Sequence, residues 1–430
     1  MCNSTPRVTM ILLVLATLCL SILLTGHREE QLRGEEAKQS PAITIWPSDP
    51  PADSPFPKST SINGVGFTGK HVRYDMGDTW YPSWASDGKM YSNWTDGSVN
   101  GVKCMSALIW GAKVATTGFA TIVGNDPLNL TFTDPAVFPD HPGPYIGRYP
   151  SANLMHNGVW YYGTYCLTDS DGDPTKGLNY DILGPFVGFR YSKDYGKTWT
   201  DTRHSAAHPI FGEPAKVGGA VKIGAPHVVD FGKNMQHSPD GKAYLVGHGA
   251  TDSDPNPRPA NLSWGTGDQI YLVRVKPSPK TIDDPKQYEF YGGHDKKGKP
   301  IWTRDFSKIK PLVDWNNNCG CVTMTYVPGL KKYLMCISDA GTTISRINTY
   351  ILESEQITGP WKLVSYMRHF GEQAYFVNIP SKFISADGRT AWLCYSANFT
   401  NPNPNWNTNF KENPPGSGYG MTLQEFKLLH

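Results

Sequence analysis

The chain has 430 residues, 18% of them charged and 12% aromatic, with 43 Gly, 35 Pro, 13 Trp and 22 Tyr. Forty Lys and Arg against 38 Asp and Glu leave a formal charge of +2, too balanced for the one-signed field that draws a protein onto nucleic acid. This composition excludes a disordered chain, a coiled coil and a many-pass membrane protein. It favours short strands joined by turns, which use the φ freedom of Gly and the fixed φ of Pro.

In residues 1–27, Arg7 precedes an apolar run from Met10 to Leu24, and polarity returns at His27-Arg28-Glu29-Glu30. This reads as a secretory signal. The run approaches the length of a bilayer span and lacks a small-x-small cleavage site, so an uncleaved single-pass anchor is the alternative. Either way the body of the chain is expected outside the cytosol, meeting a membrane only through that segment. Asn-x-Ser/Thr sequons at Asn93, Asn129, Asn261 and Asn398 fit a secreted glycoprotein. Residues 28–62 are rich in Pro, Ser and Glu and read as a linker.

From 63 to 430 one pattern recurs: an apolar strand, a tight turn, then an aromatic-rich strand. The copies are Tyr81–Ser86 with Lys89–Trp94, Tyr149–His156 with Val159–Tyr165, and Pro226–Phe231 with Ala243–His248. Two more follow, Gly320–Tyr326 with Tyr333–Ile337 and Pro380–Ser385 with Thr390–Tyr395. The turns include Asp87-Gly88, Asn157-Gly158 and Asp387-Gly388, strong hairpin signals because primed turns need φ > 0. Further strands fit at Phe186–Tyr191, Gln269–Val275 and Asn348–Leu352. Five units of about four strands predict an all-β fold, a single five-bladed β-propeller domain that protects its strand edges by radial closure.

Six cysteines follow the apolar run: Cys104, Cys166, Cys319, Cys321, Cys336 and Cys394. One or two disulfides are open to them, but a chain of this length buries its own core without a disulfide scaffold. No Cys-x-x-Cys or His-rich spacing indicates a metal ligand set. No cofactor is expected, with a structural Ca²⁺ in the channel left open.

The hairpin registers bring candidate groups to one end of the channel. An Asp87-Gly88 two-residue turn places Asp96 opposite Thr79 and Asp78 opposite Gly97, so the two carboxylates meet diagonally at a strand end. Asp75 competes with Asp78, and turn capping is the structural alternative for both Asp78 and Asp96. The same arithmetic sets Arg148 opposite Leu167 at the channel mouth, where a guanidinium binds a sugar carboxylate or forms a salt bridge between blades. His227 and His248 meet at the third hairpin end, and Asn318 and Asn378 hold matching positions in the fourth and fifth. Glu372 is a further acid candidate. Trp80, Tyr81, Trp84 and Trp315 could stack on sugar rings, although most Trp in a propeller packs between blades.

Ser192-Lys193-Asp194-Tyr195-Gly196-Lys197-Thr198-Trp199 resembles the Asp-box turn of sialidase-like propellers, a mark of fold without chemistry. Asp78, the Leu352–Trp361 segment and the Tyr288–Gly293 region with Trp302 resemble five-bladed glycosidase propellers of the arabinanase and β-xylosidase type and the endo-D-arabinanase family. That resemblance implies a glycoside hydrolase in which a first-blade aspartate pair, here Asp78 and Asp96, is catalytic; Glu372, ahead of the fifth hairpin, is the outlying third acid candidate. Trp80, Arg148, His227, His248, Asn318 and Asn378 would then bind substrate, and the expected partner is a carbohydrate met by a monomer. Two other readings compete. One is a polysaccharide lyase with a His or Tyr base and Arg148 neutralising a uronate; the other is a non-catalytic carbohydrate-binding propeller.

Overall fold

The computed structural model describes residues 43–74, 76–109, 113–168, 182–213, 217, 219–250, 263–340, 346–401 and 408–430. The described chain begins with strands β1 (Thr44–Ile45) and β2 (Gly64–Tyr74). Blade one follows as β3 (Ser83–Trp84), β4 (Met90–Trp94), a small hairpin of β5 (Gly97–Val99) and β6 (Val102–Cys104), then β7 (Ala115–Val123) and β8 (Thr131–Asp140). Blade two is β9 (Gly147–His156), β10 (Val159–Thr168) and β11 (Ile182–Ser192), with a bridge from Tyr191 to Thr200 at its edge. Blade three is β12 (Gly224–Val228), β13 (Ala243–Gly249), β14 (Gln269–Val275), β15 (Glu289–His294) and β16 (Pro300–Thr303), joined by β17 (Pro311–Asp314). Blade four is β18 (Val322–Val327), β19 (Lys332–Asp339), β20 (Asn348–Ser354) and β21 (Lys362–Met367).

Blade five takes β22 (Tyr375–Asn378), β23 (Thr390–Ser396) and β24 (Met421–Leu429) from the C-terminal end of the chain, and its outer strands β2 and β1 from the other end. The protein is a five-bladed β-propeller, and the antiparallel pairing of β2 with β24 closes the ring. Closure removes the exposed strand edges that an open sheet of this size would present.

Each blade is a meander whose successive strands pair antiparallel, as alternating apolar residues and tight turns dictate. Asn157 and Gly158 both adopt positive φ, 50° and 75°, as a two-residue hairpin demands. Neighbouring blades meet through aromatic rings: Trp160 of blade two packs edge-on against Tyr91 and Phe119 of blade one, centroids 5.1 and 5.5 Å apart. Ser192–Trp199 forms a tight turn at the edge of blade two, in which Asp194 accepts from the Thr198 N–H at 2.8 Å and its hydroxyl at 2.6 Å.

Several expectations change. Residues 43–62 are not a free linker. Trp46 packs edge-on to Phe67 and Phe370, the Ser59 N–H donates to the Leu363 carbonyl at 2.7 Å, and Ile62 is buried, so the Pro-rich stretch straps blades four and five. The inner strand of blade five is β22, upstream of the expected Pro380–Ser385, which instead contains a 3₁₀ turn at Ser381–Phe383. All six described cysteines are free and buried, so no disulfide joins them. Asn93 and Asn398 are also buried, which withholds both sequons from a glycan in the folded protein; Asn129 is exposed, and Asn261 lies outside the described residues.

Candidate active site

The chain enters the innermost strand of each blade at one end of the propeller axis. Tyr81, Tyr149, Ala225, Cys321 and Tyr375, one near that end of each blade, share a single buried apolar cluster. Asp78 lies on the blade-one approach to this end, 7% exposed. Its backbone exchanges hydrogen bonds with Thr95 at 2.8 and 2.9 Å. This pairing is two residues off the expected Asp78–Gly97 register; the three-residue loop closed by an Ala85 N–H to Lys89 carbonyl bond accounts for one of the two, and the second shift lies between Ser83 and Asp78. The two carboxylate segments nevertheless stay together, because Gly77 and Gly97 abut: a Cβ on Gly97 would lie 2.5 Å from the Gly77 Cα.

Asp96 is half-buried and opens the β5–β6 hairpin from a left-handed backbone, φ 43°; Thr79 beside Asp78 is also left-handed, φ 61°. Such conformations are costly away from Gly and persist where the surrounding structure enforces them. The enforcing contacts are visible. Ser106 gives its N–H to Asp96 Oδ1 at 2.7 Å and its hydroxyl to Oδ2 at 2.6 Å. Tyr375 from blade five donates its hydroxyl to Asp78 Oδ2 at 2.5 Å, and the Thr79 hydroxyl reaches Oδ1 at 3.0 Å. Tyr419, in the Gly-rich turn before β24, donates its hydroxyl to the Asp96 carbonyl and also contacts the Asp78 carboxyl.

These surroundings separate two chemically identical groups. Burial, then the charge of Asp96, pushes the Asp78 carboxyl up to about 8, against the lowering effect of the hydroxyls that donate to it. Burial also raises Asp96, but the two Ser106 donors favour its ionised form. Asp96 therefore ionises first, and its charge keeps the proton on Asp78. One carboxyl that holds a proton at neutral pH beside one that gives it up is an acid and base assignment made by environment.

The other candidates fall in different settings. The Arg148 side chain is buried away from the axis, donating to Thr164 Oγ1 at 2.8 Å and lying 3.8 Å from Asp140, which also pairs with Arg190 at 2.7 Å. A one-residue shift after Tyr162 puts Arg148 opposite Cys166 instead of Leu167. Its N–H donates to the Ser106 carbonyl at 2.8 Å, so its backbone supports the residue that holds Asp96. Trp80 is 2% exposed, stacked on Trp94 and edge-on to Phe132; it is core between blades one and five. Trp315 is likewise buried, packed on Phe56 and Tyr350, and Trp84 joins the cluster around Trp80.

His227 lines the axial cavity, of about 40 Å³, its ring 3.9 Å from that of Tyr81. Burial drives it far below the usual histidine range, while His248, bonded to the Ser263 carbonyl at 2.9 Å, falls to about 4. Both rings are neutral at pH 7. Asn378 also lines that cavity and ties blade five to blade one by donating to the Trp80 carbonyl at 3.0 Å. Asn318 donates to the Asn316 carbonyl, and Glu372 is paired with Arg346 at 2.7 Å. Asp75 lies outside the described residues. Among the described residues, no three His, Cys, Asp or Glu side chains converge as metal ligands.

Sequence reasoning missed Ser106, Tyr375 and Tyr419. The Gly416-Ser417-Gly418-Tyr419-Gly420 turn next to the final strand was the one visible signal.

No family model matches the chain, and no curated protein matches its sequence. Similar solved structures include a GH43 β-xylosidase/α-arabinofuranosidase from a compost microbial metagenome in complex with xylotriose, at 13% identity over 84% of this chain and 93% of that one, TM-score 0.44. An α-L-arabinofuranosidase from Podospora anserina in complex with cellotriose matches at 10% identity over 90% and 96%, TM-score 0.41. The GH32 β-fructofuranosidase of Bombyx mori matches at 12% identity over 84% and 62%, TM-score 0.45.

Proposed function

We propose that this protein is a glycoside hydrolase, delivered outside the cytosol by its apolar leader, with Asp78 as proton donor and Asp96 as its ionised partner. The observation that carries this reading is the difference between two adjacent carboxyls: Asp78 is buried and held near 8, whereas both oxygens of Asp96 accept bonds from Ser106. Glycosidic bond cleavage needs this difference. The leaving oxygen takes the Asp78 proton as the C–O bond breaks, the Asp96 charge stabilises the positive character of the sugar ring, and a substrate water bonds to the anomeric carbon and releases a proton to complete the hydrolysis. The buried aromatic cluster at this end of the axis, which includes Tyr81, Trp264 and Tyr375, lowers the local dielectric and strengthens both effects.

The lyase reading asks for a guanidinium that can meet a uronate. Arg148 is committed to Asp140 and Thr164, which favours hydrolysis. A purely binding propeller would turn over nothing. Screening the secreted protein on a glycan panel tests the assignment: hydrolysis that falls at least 100-fold in both Asp78→Asn and Asp96→Asn supports it. Full activity in both variants, or an unsaturated uronate product, overturns it.

A further inference from the structure

β22 carries a bulge beside the Asp78 carboxyl. Tyr375 pairs with Ser396 and Asn378 with Cys394, so one extra residue lies on β22 between the two pairs. Phe376 takes a left-handed backbone there, φ 51°. Residues three apart on a regular strand point to opposite faces; an extra residue between them brings both to one side, and bulges re-aim side chains in this way next to active sites. Tyr375 and Asn378 accordingly both reach the blade-one approach. The Tyr375 hydroxyl donates to Asp78 Oδ2 at 2.5 Å, and the Asn378 amide donates to the Trp80 carbonyl at 3.0 Å.

The phenol is held in place as well as aimed. Tyr375 is 3% exposed, and the rings of Trp264, Phe399 and Phe376 pack edge-on around it, centroids 5.3, 5.5 and 5.8 Å away. A buried donor keeps its acceptor, because leaving it unmatched is costly. The other Asp78 oxygen, Oδ1, accepts from the Thr79 hydroxyl at 3.0 Å. That contact is at the long end of O–H···O distances, and an alkyl hydroxyl is a weaker donor than a phenol. A protonated carboxyl has one hydroxyl oxygen and one carbonyl oxygen, and its proton settles on the oxygen whose accepted bond is the weaker.

We propose that Tyr375 is a positioning residue for the acid: it holds Asp78 Oδ2 as the carbonyl oxygen and so leaves the proton on Oδ1. The catalytic meaning rests on the hydrolase reading, in which Oδ1 is the atom that hands its proton to the leaving oxygen. The assignment of the two oxygens needs no turnover.

Infrared spectra of the substrate-free protein test it at about pH 6, below the Asp78 midpoint of about 8, where the carboxyl holds its proton. The protonated-carboxyl C=O band that is lost in Asp78→Asn belongs to Asp78. A donor on the carbonyl oxygen lowers that frequency, so Tyr375→Phe is expected to shift the band upward and to raise its titration midpoint by about one pH unit. Thr79→Val removes the donor to the hydroxyl oxygen and is expected to leave the frequency in place. An unshifted band in Tyr375→Phe, or an upward shift in Thr79→Val, overturns the proposal, and the Thr79 variant decides alone if the Tyr375 variant does not fold. If no band disappears in Asp78→Asn, Asp78 carries no proton and the acid assignment falls with the proposal; a band that moves in the wrong variant overturns the proposal alone.

Discussion

Ser106 meets both oxygens of Asp96, giving its backbone N–H to Oδ1 at 2.7 Å and its hydroxyl to Oδ2 at 2.6 Å. One residue thus supplies the two donors that lower Asp96 against its burial. Ser106→Ala keeps the N–H and removes the hydroxyl, and a hydrogen bond to a charged group is worth ~1.5–3 kcal/mol. The lost donor favoured the ionised form, so the Asp96 pKa rises. The acidic limb of the pH–rate profile is expected to move to higher pH, and kcat below neutrality to drop about 10-fold or more. An unmoved acidic limb would remove Asp96 as the ionised partner.

Asp78 makes stability depend on pH. Its folded pKa of about 8 lies above the ordinary carboxyl value, so the folded state keeps a proton that the unfolded chain releases. The sign follows: this group does not penalise folding below about pH 4, and stability is lost as pH rises from there towards 8, at up to ~1.4 kcal/mol per unit. Asp78→Asn stays neutral throughout. Thermal unfolding is therefore expected to show the variant more stable than wild type at pH 7.5, with the gap closing at pH 4.5.

Asp140 is 3% exposed and is shared by Arg190 at 2.7 Å, Arg148 at 3.8 Å and the Thr117 hydroxyl at 2.8 Å. Removing it takes the shared carboxylate from both buried guanidiniums and leaves Arg190 with the exposed Asp201 at 3.3 Å. Asp140→Ala is expected to cost ~3–5 kcal/mol in denaturant unfolding, because uncompensated buried charge is what makes such pairs expensive to break. A change within 1 kcal/mol would mean that water reaches these guanidiniums.

Because the six described cysteines are free, unfolding without reductant is expected to expose all of them to alkylation, and the folded protein to resist it. Mass spectrometry before and after denaturation counts the thiols.

The blades were largely legible because their hairpins carry local instructions. Asn157-Gly158 dictates a two-residue turn, and the register runs as expected from it as far as Tyr162. It slips at Gly163, where the Phe186 ring fills the space that a side chain would take, a constraint from another strand that no local pattern encodes. The strap at 43–62 was hidden for a related reason. Its composition is that of a linker, and its order comes from distant partners such as Arg368, which receives the Trp46 indole N–H on its carbonyl at 2.9 Å. Asp78 and Asp96 were accessible through their spacing around one hairpin and through family resemblance. Tyr375 and Tyr419 arrive from about 300 residues away.

The proton-donor role of Asp78 is tested most directly by comparing Asp78→Asn with wild type on two substrates of the same sugar. One carries an alkyl leaving group that needs protonation, the other a nitrophenyl group that does not. General acid catalysis is worth about 10²- to 10⁴-fold. The predicted result is a loss of that order on the alkyl glycoside and only a small loss on the nitrophenyl glycoside. Equal losses on both, or none on either, would contradict the assignment of Asp78 as the acid.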